Sequence, residues 1–198
     1  IGEEALFEQL GFARGAFAQR ADRIPLLKEK HDRILAASGA IPSSHTWRET
    51  RATFNHLPKT DLFYARVSDL ERVIRAIVEV SGDEDIVVES RQGAGYEALY
   101  VAFSRLRYSY QTEAALRRAF ADAFGPVAFA TSVDSGPETL LLFYFNSNEL
   151  EHPVDPEEAR RLTEPLVTSW EDRVAAALEA EFGASEGRRL FQRYVTPE

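Results

Sequence analysis

The sequence contains no cysteine, and this absence removes several classes of function at once. Without cysteine the chain has no disulfide, no thiolate metal ligand and no cysteine nucleophile. The absence fits a reducing compartment, so we expect a cytoplasmic protein. The sequence also lacks an apolar run near the roughly 20 residues of a membrane span, and no secretory signal follows Ile1. We therefore expect no membrane partner.

Basic residues are too few and too scattered for a nucleic-acid partner. Lysine and arginine number 23 against 32 acidic residues, which gives a net charge of −9, and the two signs are interleaved along the chain. Binding to phosphate backbones needs a concentrated basic face. We therefore expect no DNA or RNA ligand.

Motifs of catalysis and metal binding are missing as well. The four histidines show no H-E-x-x-H or other ligand spacing, and no G-x-S-x-G elbow is present to make a serine nucleophilic. We expect no metal site, no catalytic residue and no cofactor site in this chain. Because the chain begins without methionine and ends beyond a helix, we also expect it to be a piece of a longer protein.

The stretch from Asp61 to Ser147 has the clearest pattern, and it predicts strand, helix, two strands, helix, two strands. The strands are predicted at 60–67, 85–92, 96–105, 127–133 and 139–145, and the helices at 68–80 and 111–124. Both helices repeat apolar residues with a period of 3.6, which gives each one apolar face. The pattern predicts an α+β fold, a ferredoxin-like antiparallel sheet with the two helices on one face.

Helical segments flank this stretch on both sides. We expect residues 1–58 to hold the end of a preceding domain and a helical linker, 59–148 the central domain, and 149–198 a further helical segment. Large apolar side chains on the flanking helices are candidates for an interface with other domains or subunits. These residues are Trp47, Phe54, Trp170 and Leu178.

Gly93 and Gly95 raise the alternative of nucleotide binding. With Ala98 they match a loose G-x-G-x-x-A pattern, in which glycines let the amides of a helix start approach a pyrophosphate. The residues that follow alternate and are rich in aromatic side chains, which favours a strand. We interpret the glycines as the turn of a hairpin, and a strand at 96–103 would exclude the nucleotide hypothesis.

Arg105, Arg107 and Tyr108 are the candidate ligand-binding residues. They fall where the third predicted strand meets the second helix, near the positive end of the helix dipole. Guanidinium and amide donors that converge there could hold the carboxylate of a small molecule such as an amino acid. The alternative is an ordinary solvated strand end.

Several segments resemble the N-terminal regulatory half of the large bacterial NAD-specific glutamate dehydrogenases. They are LGFARGAFAQRADRIPLLKEKHDRIL at 10–35, SSH at 43–45, LPKTDLF at 57–63, YEALYVAFSRLRY at 96–108 and LVTSWEDRVAAALEAEFGASEGRRLFQRY at 166–194. The segments follow one another in the order of that family. One departure is Ser104, where the family more often has proline.

The resemblance implies an ACT-like regulatory or assembly domain rather than an enzyme in its own right. The parent protein would convert L-glutamate and NAD to 2-oxoglutarate, ammonia and NADH, with its catalytic lysine and its NAD-binding fold after Glu198. Implied partners are the other domains and subunits of that enzyme, in a homo-oligomer, and an amino-acid effector. ACT domains often bind amino acids beside a glycine between the first strand and the first helix, but no glycine occurs at 65–69. A stand-alone amino-acid-binding sensor is the alternative function.

Overall fold

The computed structural model describes residues 19–79, 85–135, 138–168 and 170–195, without the side chains of 134–135 and 170–173. Within these residues a four-stranded sheet is accompanied by eight α-helices. The helices are α1 (Pro25–Ala37), α2 (His45–His56), α3 (Lys59–Tyr64), α4 (Val67–Val78), α5 (Tyr110–Phe124), α6 (Pro156–Val167), α7 (Trp170–Phe182) and α8 (Ala184–Tyr194). The strands are β1 (Ile86–Gln92), β2 (Tyr96–Ser104), β3 (Val127–Ser135) and β4 (Glu138–Asn146). Most of the predicted end of a preceding domain, residues 1–18, lies outside the described part.

The sheet is antiparallel throughout and has the order β1-β2-β4-β3. Two hairpins form it, β1–β2 and β3–β4, and α5 carries the chain between them. Strand β4 pairs with β2, so it lies between β2 and β3 in the sheet. The predicted α+β class with an antiparallel sheet is confirmed.

The glycines at 93 and 95 form the turn of the first hairpin, as the sequence predicted. The Gly93 amide donates to the Tyr96 carbonyl at 2.7 Å, and Gly95 has a φ of +80°, a conformation that favours glycine. The following residues, Tyr96–Ser104, are strand β2. A strand at this place excludes a phosphate-binding helix start, so the nucleotide hypothesis is wrong.

Helices cover both faces of the sheet, which corrects the expectation that both central helices share one face. Alternate residues of β2 point to opposite sides, and nearly all of them are buried. On one side Tyr100 packs with α1, α2 and α4, and on the other Val101 packs with α5 and α6. Residues of α1 and α2, including Leu27 and Phe54, share a core with the sheet. Packing therefore continues across the expected boundary at residue 58.

The first predicted strand, 60–67, is wrong. The chain there forms the short helix α3, followed by an extended turn into α4. The central order is therefore helix, two strands, helix, two strands. Apolar residues at Leu62, Phe63 and Tyr64 suit a strand locally, but Asp61 and the backbone of this segment are bound by side chains from distant elements, as described below.

Local sequence signals set several helix ends. Ser44 caps α2 by accepting the Trp47 amide at 3.2 Å, and Asp155 caps α6 by accepting the Glu157 amide at 3.1 Å. Pro25 begins α1 and Gly125 follows α5. Among the described helices, none combines the length and the apolar character needed to cross a lipid bilayer.

Candidate functional site

A cluster of polar side chains is buried where α3 meets the sheet, and we call Asp61, Arg91, Tyr96 and Tyr100 the buried polar cluster. Asp61 and Arg91 form an ion pair in which each side chain is only 1% exposed. The Tyr100 hydroxyl donates to the second carboxylate oxygen of Asp61. Arg91 donates from Nε to the Tyr100 hydroxyl at 3.1 Å and from Nη2 to the Tyr96 hydroxyl at 3.0 Å. These bonds join residues up to 39 positions apart.

The register of the first hairpin makes room for this cluster. Arg91 on β1 lies opposite Ala98 on β2, and Tyr100 is two residues further along β2 on the same face. The small Ala98 side chain leaves space for the guanidinium, and Tyr100 approaches it from the side. Asp61 lies in the first turn of α3, where the helix dipole favours a carboxylate.

Arg91 and Tyr100 are each held in one protonation state at neutral pH. Burial opposes the guanidinium charge, but Tyr100 and Asp61 outweigh burial and raise the pKa of Arg91 above its usual value. Burial and the nearby Asp61 charge raise the pKa of Tyr100 and of neighbouring Tyr144 well above the normal tyrosine range. Both phenols therefore stay protonated, so the arrangement suits a structural tie rather than acid–base chemistry.

Lys30 on α1 closes the other end of α3. Its ammonium group donates to the carbonyls of Leu62, Phe63 and Ala65 at 2.7, 2.8 and 2.7 Å. Burial and the positive charge of Arg91 lower the pKa of Lys30. A cation at the carbonyl end of a helix is favourable, so α3 is held at both ends by charges from other elements.

The three candidate ligand-binding residues, Arg105, Arg107 and Tyr108, lie in different surroundings. Arg107 lines a cavity of about 880 Å³ between β1, α6 and α7, with Arg160 and several carboxylates. The Tyr108 hydroxyl donates to Glu113 at 2.7 Å, and this bond raises the pKa of Tyr108. Arg105 is exposed and does not line that cavity. Of the three, Arg107 lines this cavity, and the role of all three in binding stays a prediction.

The predicted interface residues also differ from one another. Phe54 is 0% exposed and packs edge-on against His31 at 5.1 Å, in the core of this chain. Trp47 is half-buried beneath the Arg51 guanidinium, and Leu178 is half-buried on α7. The Trp170 side chain lies outside the described part. The interface role of Trp47, Leu178 and Trp170 stays a prediction.

Asp61, Arg91 and Tyr100 were missed as functional candidates in the sequence. All three fall in segments with the apolar and aromatic pattern of strands, where a charged residue ordinarily marks a solvent-facing position. The occurrence of Asp61 and Arg91 in two successive strand-like segments was a weak indication that the two side chains form a pair. In the described ranges, no group of three or more His, Cys, Asp or Glu side chains is placed to hold a metal ion.

Comparison with known families relates part of the chain to a described family. Residues 24–83 match the family model described as glutamate dehydrogenase, helical motif 1. The match covers 60 of the 198 residues (24 to 83 inclusive), including helices α1 to α4 and Asp61 of the buried polar cluster. No curated protein matches the chain. The family match therefore relates the first four helices of this chain to the helical motif of glutamate dehydrogenases.

Proposed function

We propose that this chain is a non-catalytic regulatory or assembly segment of a larger NAD-dependent glutamate dehydrogenase. The observation that carries the proposal is the match of residues 24–83 to a helical motif of glutamate dehydrogenases. In this proposal the full-length protein converts L-glutamate and NAD to 2-oxoglutarate, ammonia and NADH. Its catalytic residues and its NAD site lie outside the chain.

The buried polar cluster supports a connecting role. Asp61 belongs to the matched helical motif, whereas Arg91 and Tyr100 belong to the sheet. Breaking a buried ion pair is costly, so the motif and the sheet are expected to move as one body. A rigid body of this kind can transmit a displacement between the parts of a larger enzyme.

Several finer features belong to the same proposal. The antiparallel sheet with packed helices is consistent with an ACT-like module, although helix α3 stands where such a domain has its first strand. An amino-acid effector at that junction is therefore not part of the proposal. The segment would act in the cytoplasm, within a homo-oligomer of the parent enzyme.

An association experiment tests the proposal. The purified 198-residue chain is assayed for NAD reduction with glutamate, alone and mixed with the catalytic part of the glutamate dehydrogenase from the same genome. We expect no turnover by the chain alone, co-elution with the catalytic part on gel filtration, and a changed kcat or KM of the mixture. Turnover by the chain alone, or neither association nor a kinetic effect, would contradict the proposal.

A stand-alone amino-acid sensor is the second candidate, and the cavity that Arg107 lines favours it. Arg107 and Arg160 line this cavity of about 880 Å³ together with five acidic residues, Glu164 and Glu179 among them, so it offers a partner of opposite sign to each charge of a zwitterion. Calorimetry with glutamate and related amino acids tests it. We expect Arg107→Ala to abolish the heat of binding and Arg33→Ala, an exposed residue of α1, to leave it unchanged. No heat at millimolar ligand would remove the sensor hypothesis.

A further inference from the structure

A second pocket, of about 500 Å³, lies between α2 and the residues that immediately precede the short 3-10 helix at Ala21–Arg23. Among the described residues, its lining contains four cationic side chains and no carboxylate. The lining residues are Gln19, Arg20, Trp47, Arg48, Arg51, Ala52, Asn55, His56 and Lys59. Such a concentration of positive charge is unexpected in a chain with a net charge of −9.

A buried carboxylate behind the pocket holds two of the arginines in place. Asp22 accepts Nε and Nη2 of Arg20 at 3.2 and 2.9 Å, and it accepts Nε of Arg51 at 2.8 Å. The Asp22 side chain is 4% exposed, and its backbone amide donates to Asn55 of α2 at 3.1 Å. Asp22 therefore fixes both guanidinium groups from behind and is itself anchored.

Arg48 and Arg51 keep N–H donors that no group in the described part of the chain accepts. Arg51 stacks on Trp47, with its Cζ 5.3 Å from the ring centroid, and Arg48 donates from Nε to the Ser44 carbonyl at 3.4 Å. Within the described ranges, Nη1 and Nη2 of Arg48 and Arg51 have no hydrogen-bond partner. Two like charges three residues apart on a helix repel each other, and Arg48 also lies near the positive end of the α2 dipole. An anion between them would offset both effects.

We infer that this pocket binds a phosphate-bearing small anion. Guanidinium groups recognise phosphate through paired N–H donors, and several guanidiniums around one site match a multiply charged oxyanion better than a single carboxylate. Asp22 acts as a positioning residue, because it orients Arg20 and Arg51 without lining the pocket. The pocket is also too local for a nucleic acid, which would need an extended basic face.

Calorimetry with the 198-residue chain and inorganic pyrophosphate tests this inference, with inorganic phosphate, sulfate and glutamate as comparison ligands at constant ionic strength. We expect pyrophosphate to bind more tightly than phosphate, and glutamate to give no heat at the same site. Equal binding of pyrophosphate and sulfate would indicate unspecific attraction and overturn the inference. No heat at millimolar pyrophosphate would overturn it as well.

Variants distinguish specific binding in this pocket from non-specific attraction of an anion to positive charge. Arg48→Ala should weaken pyrophosphate binding at least about tenfold, whereas Arg33→Ala, which removes an exposed charge on α1, should not. Asp22→Asn makes the pocket more positive, so simple attraction predicts tighter binding and a positioning role predicts weaker binding. Tighter binding by Asp22→Asn, or an equal loss in Arg48→Ala and Arg33→Ala, would contradict the inference. Arg48 makes one exposed backbone contact, so this variant should fold whatever the outcome for Asp22→Asn.

These outcomes are independent of the proposed role in a glutamate dehydrogenase. Binding is measured on the chain itself, without glutamate turnover. A chain that binds pyrophosphate but never associates with a catalytic part would uphold this inference and contradict the proposed function. A chain that associates with the catalytic part but does not bind pyrophosphate would uphold the proposed function and contradict this inference.

Discussion

Asp61 and Arg91, 30 residues apart in the chain, form an ion pair that joins the glutamate dehydrogenase-like helical motif to the first strand of the sheet. Neither side chain is more than 1% exposed. Desolvation of the two charges is expensive, and the hydroxyls of Tyr96 and Tyr100 offset part of that cost by bonding to the pair. The pair therefore specifies how the two parts fit together, and this makes it testable by mutation.

Removing one partner of this pair should be much more damaging than removing both. Asp61→Asn leaves Arg91 buried without a counter-ion, and we expect a loss of about 3–5 kcal/mol in the free energy of unfolding. The apolar double variant Asp61→Leu with Arg91→Met should lose less than Asp61→Asn or Arg91→Met alone. Urea denaturation of the parent, the two single variants and the double variant measures this.

An exposed ion pair serves as the control. Lys28 and Asp32 on α1 are 59% and 53% exposed, so Asp32→Asn should cost less than about 1 kcal/mol. A loss for Asp61→Asn no larger than that of Asp32→Asn would show that the buried pair does not hold the motif to the sheet.

The Tyr100 hydroxyl should matter and the Tyr144 hydroxyl should not. Tyr100→Phe takes a donor from Asp61 and an acceptor from Arg91, so we expect a loss of about 1–3 kcal/mol. Within the described residues the Tyr144 hydroxyl has no hydrogen-bond partner, and Tyr144→Phe should change stability by less than about 0.5 kcal/mol. Both variants remove one tyrosine hydroxyl, and thermal melts compare their effects. Similar losses of stability in the two variants would contradict the hydrogen bonds of Tyr100 to Asp61 and Arg91.

Stability should fall at acidic pH through Asp22. Burial opposes its charge, but bonds from Arg51, Arg20 and Asn55 outweigh burial and lower the pKa of Asp22 from 3.8 to about 2. A carboxyl group whose pKa is lower in the folded state stabilises the fold above its unfolded pKa. That contribution, about 2 kcal/mol, is lost as the pH falls from about 4 to about 2.

Urea denaturation across this pH range measures the effect. The curves of the parent and of Asp22→Asn should lie apart at neutral pH and converge as the pH approaches 2. A constant separation down to about pH 2 would mean that Asp22 is not the group that titrates.

Gly187 should be needed for the packing of α7 against α8. A Cβ atom at this position would lie 2.6 Å from both the N and the Cα of Glu179, and backbone atoms on α7 cannot move aside cheaply. We expect Gly187→Ala to destabilise the helix pair by about 1–3 kcal/mol. Hydrogen exchange should become faster in 174–195, whereas exposed Ser185→Ala on the same helix should leave it unchanged. Equal exchange in the two variants would contradict close packing.

Strands β1 to β4 and the two central helices, α4 and α5, could be predicted because their patterns are local. In α4 the buried residues Leu70, Val73 and Ile77 follow the 3.6-residue period that the sequence displays. The sequence also contained the information that helices cover both faces of the sheet. Strand β2 is apolar at nearly every position, and a strand without a polar face has no face for solvent.

Helix α3 and the buried polar cluster could not be predicted, because distant residues decide both. Leu62, Phe63 and Tyr64 fit a strand by local preference, and the contacts that favour a helix come from Lys30 and Arg91. A single sequence does not say that Asp61 meets Arg91, since a charge in an apolar segment more often faces water. The cationic pocket beside α2 also depends on a long-range pair, the one between Asp22 and Arg51.

Clamping α3 between α1 and the sheet has a consequence for the order of folding. Six residues are too few for an isolated helix in water, so this turn cannot serve as a nucleus. It should appear only after its two clamps have docked, which makes it a late event in assembly and an early one in denaturation. A spectroscopic probe placed at exposed Tyr64 would thus report on the completion of the native state rather than on its beginning.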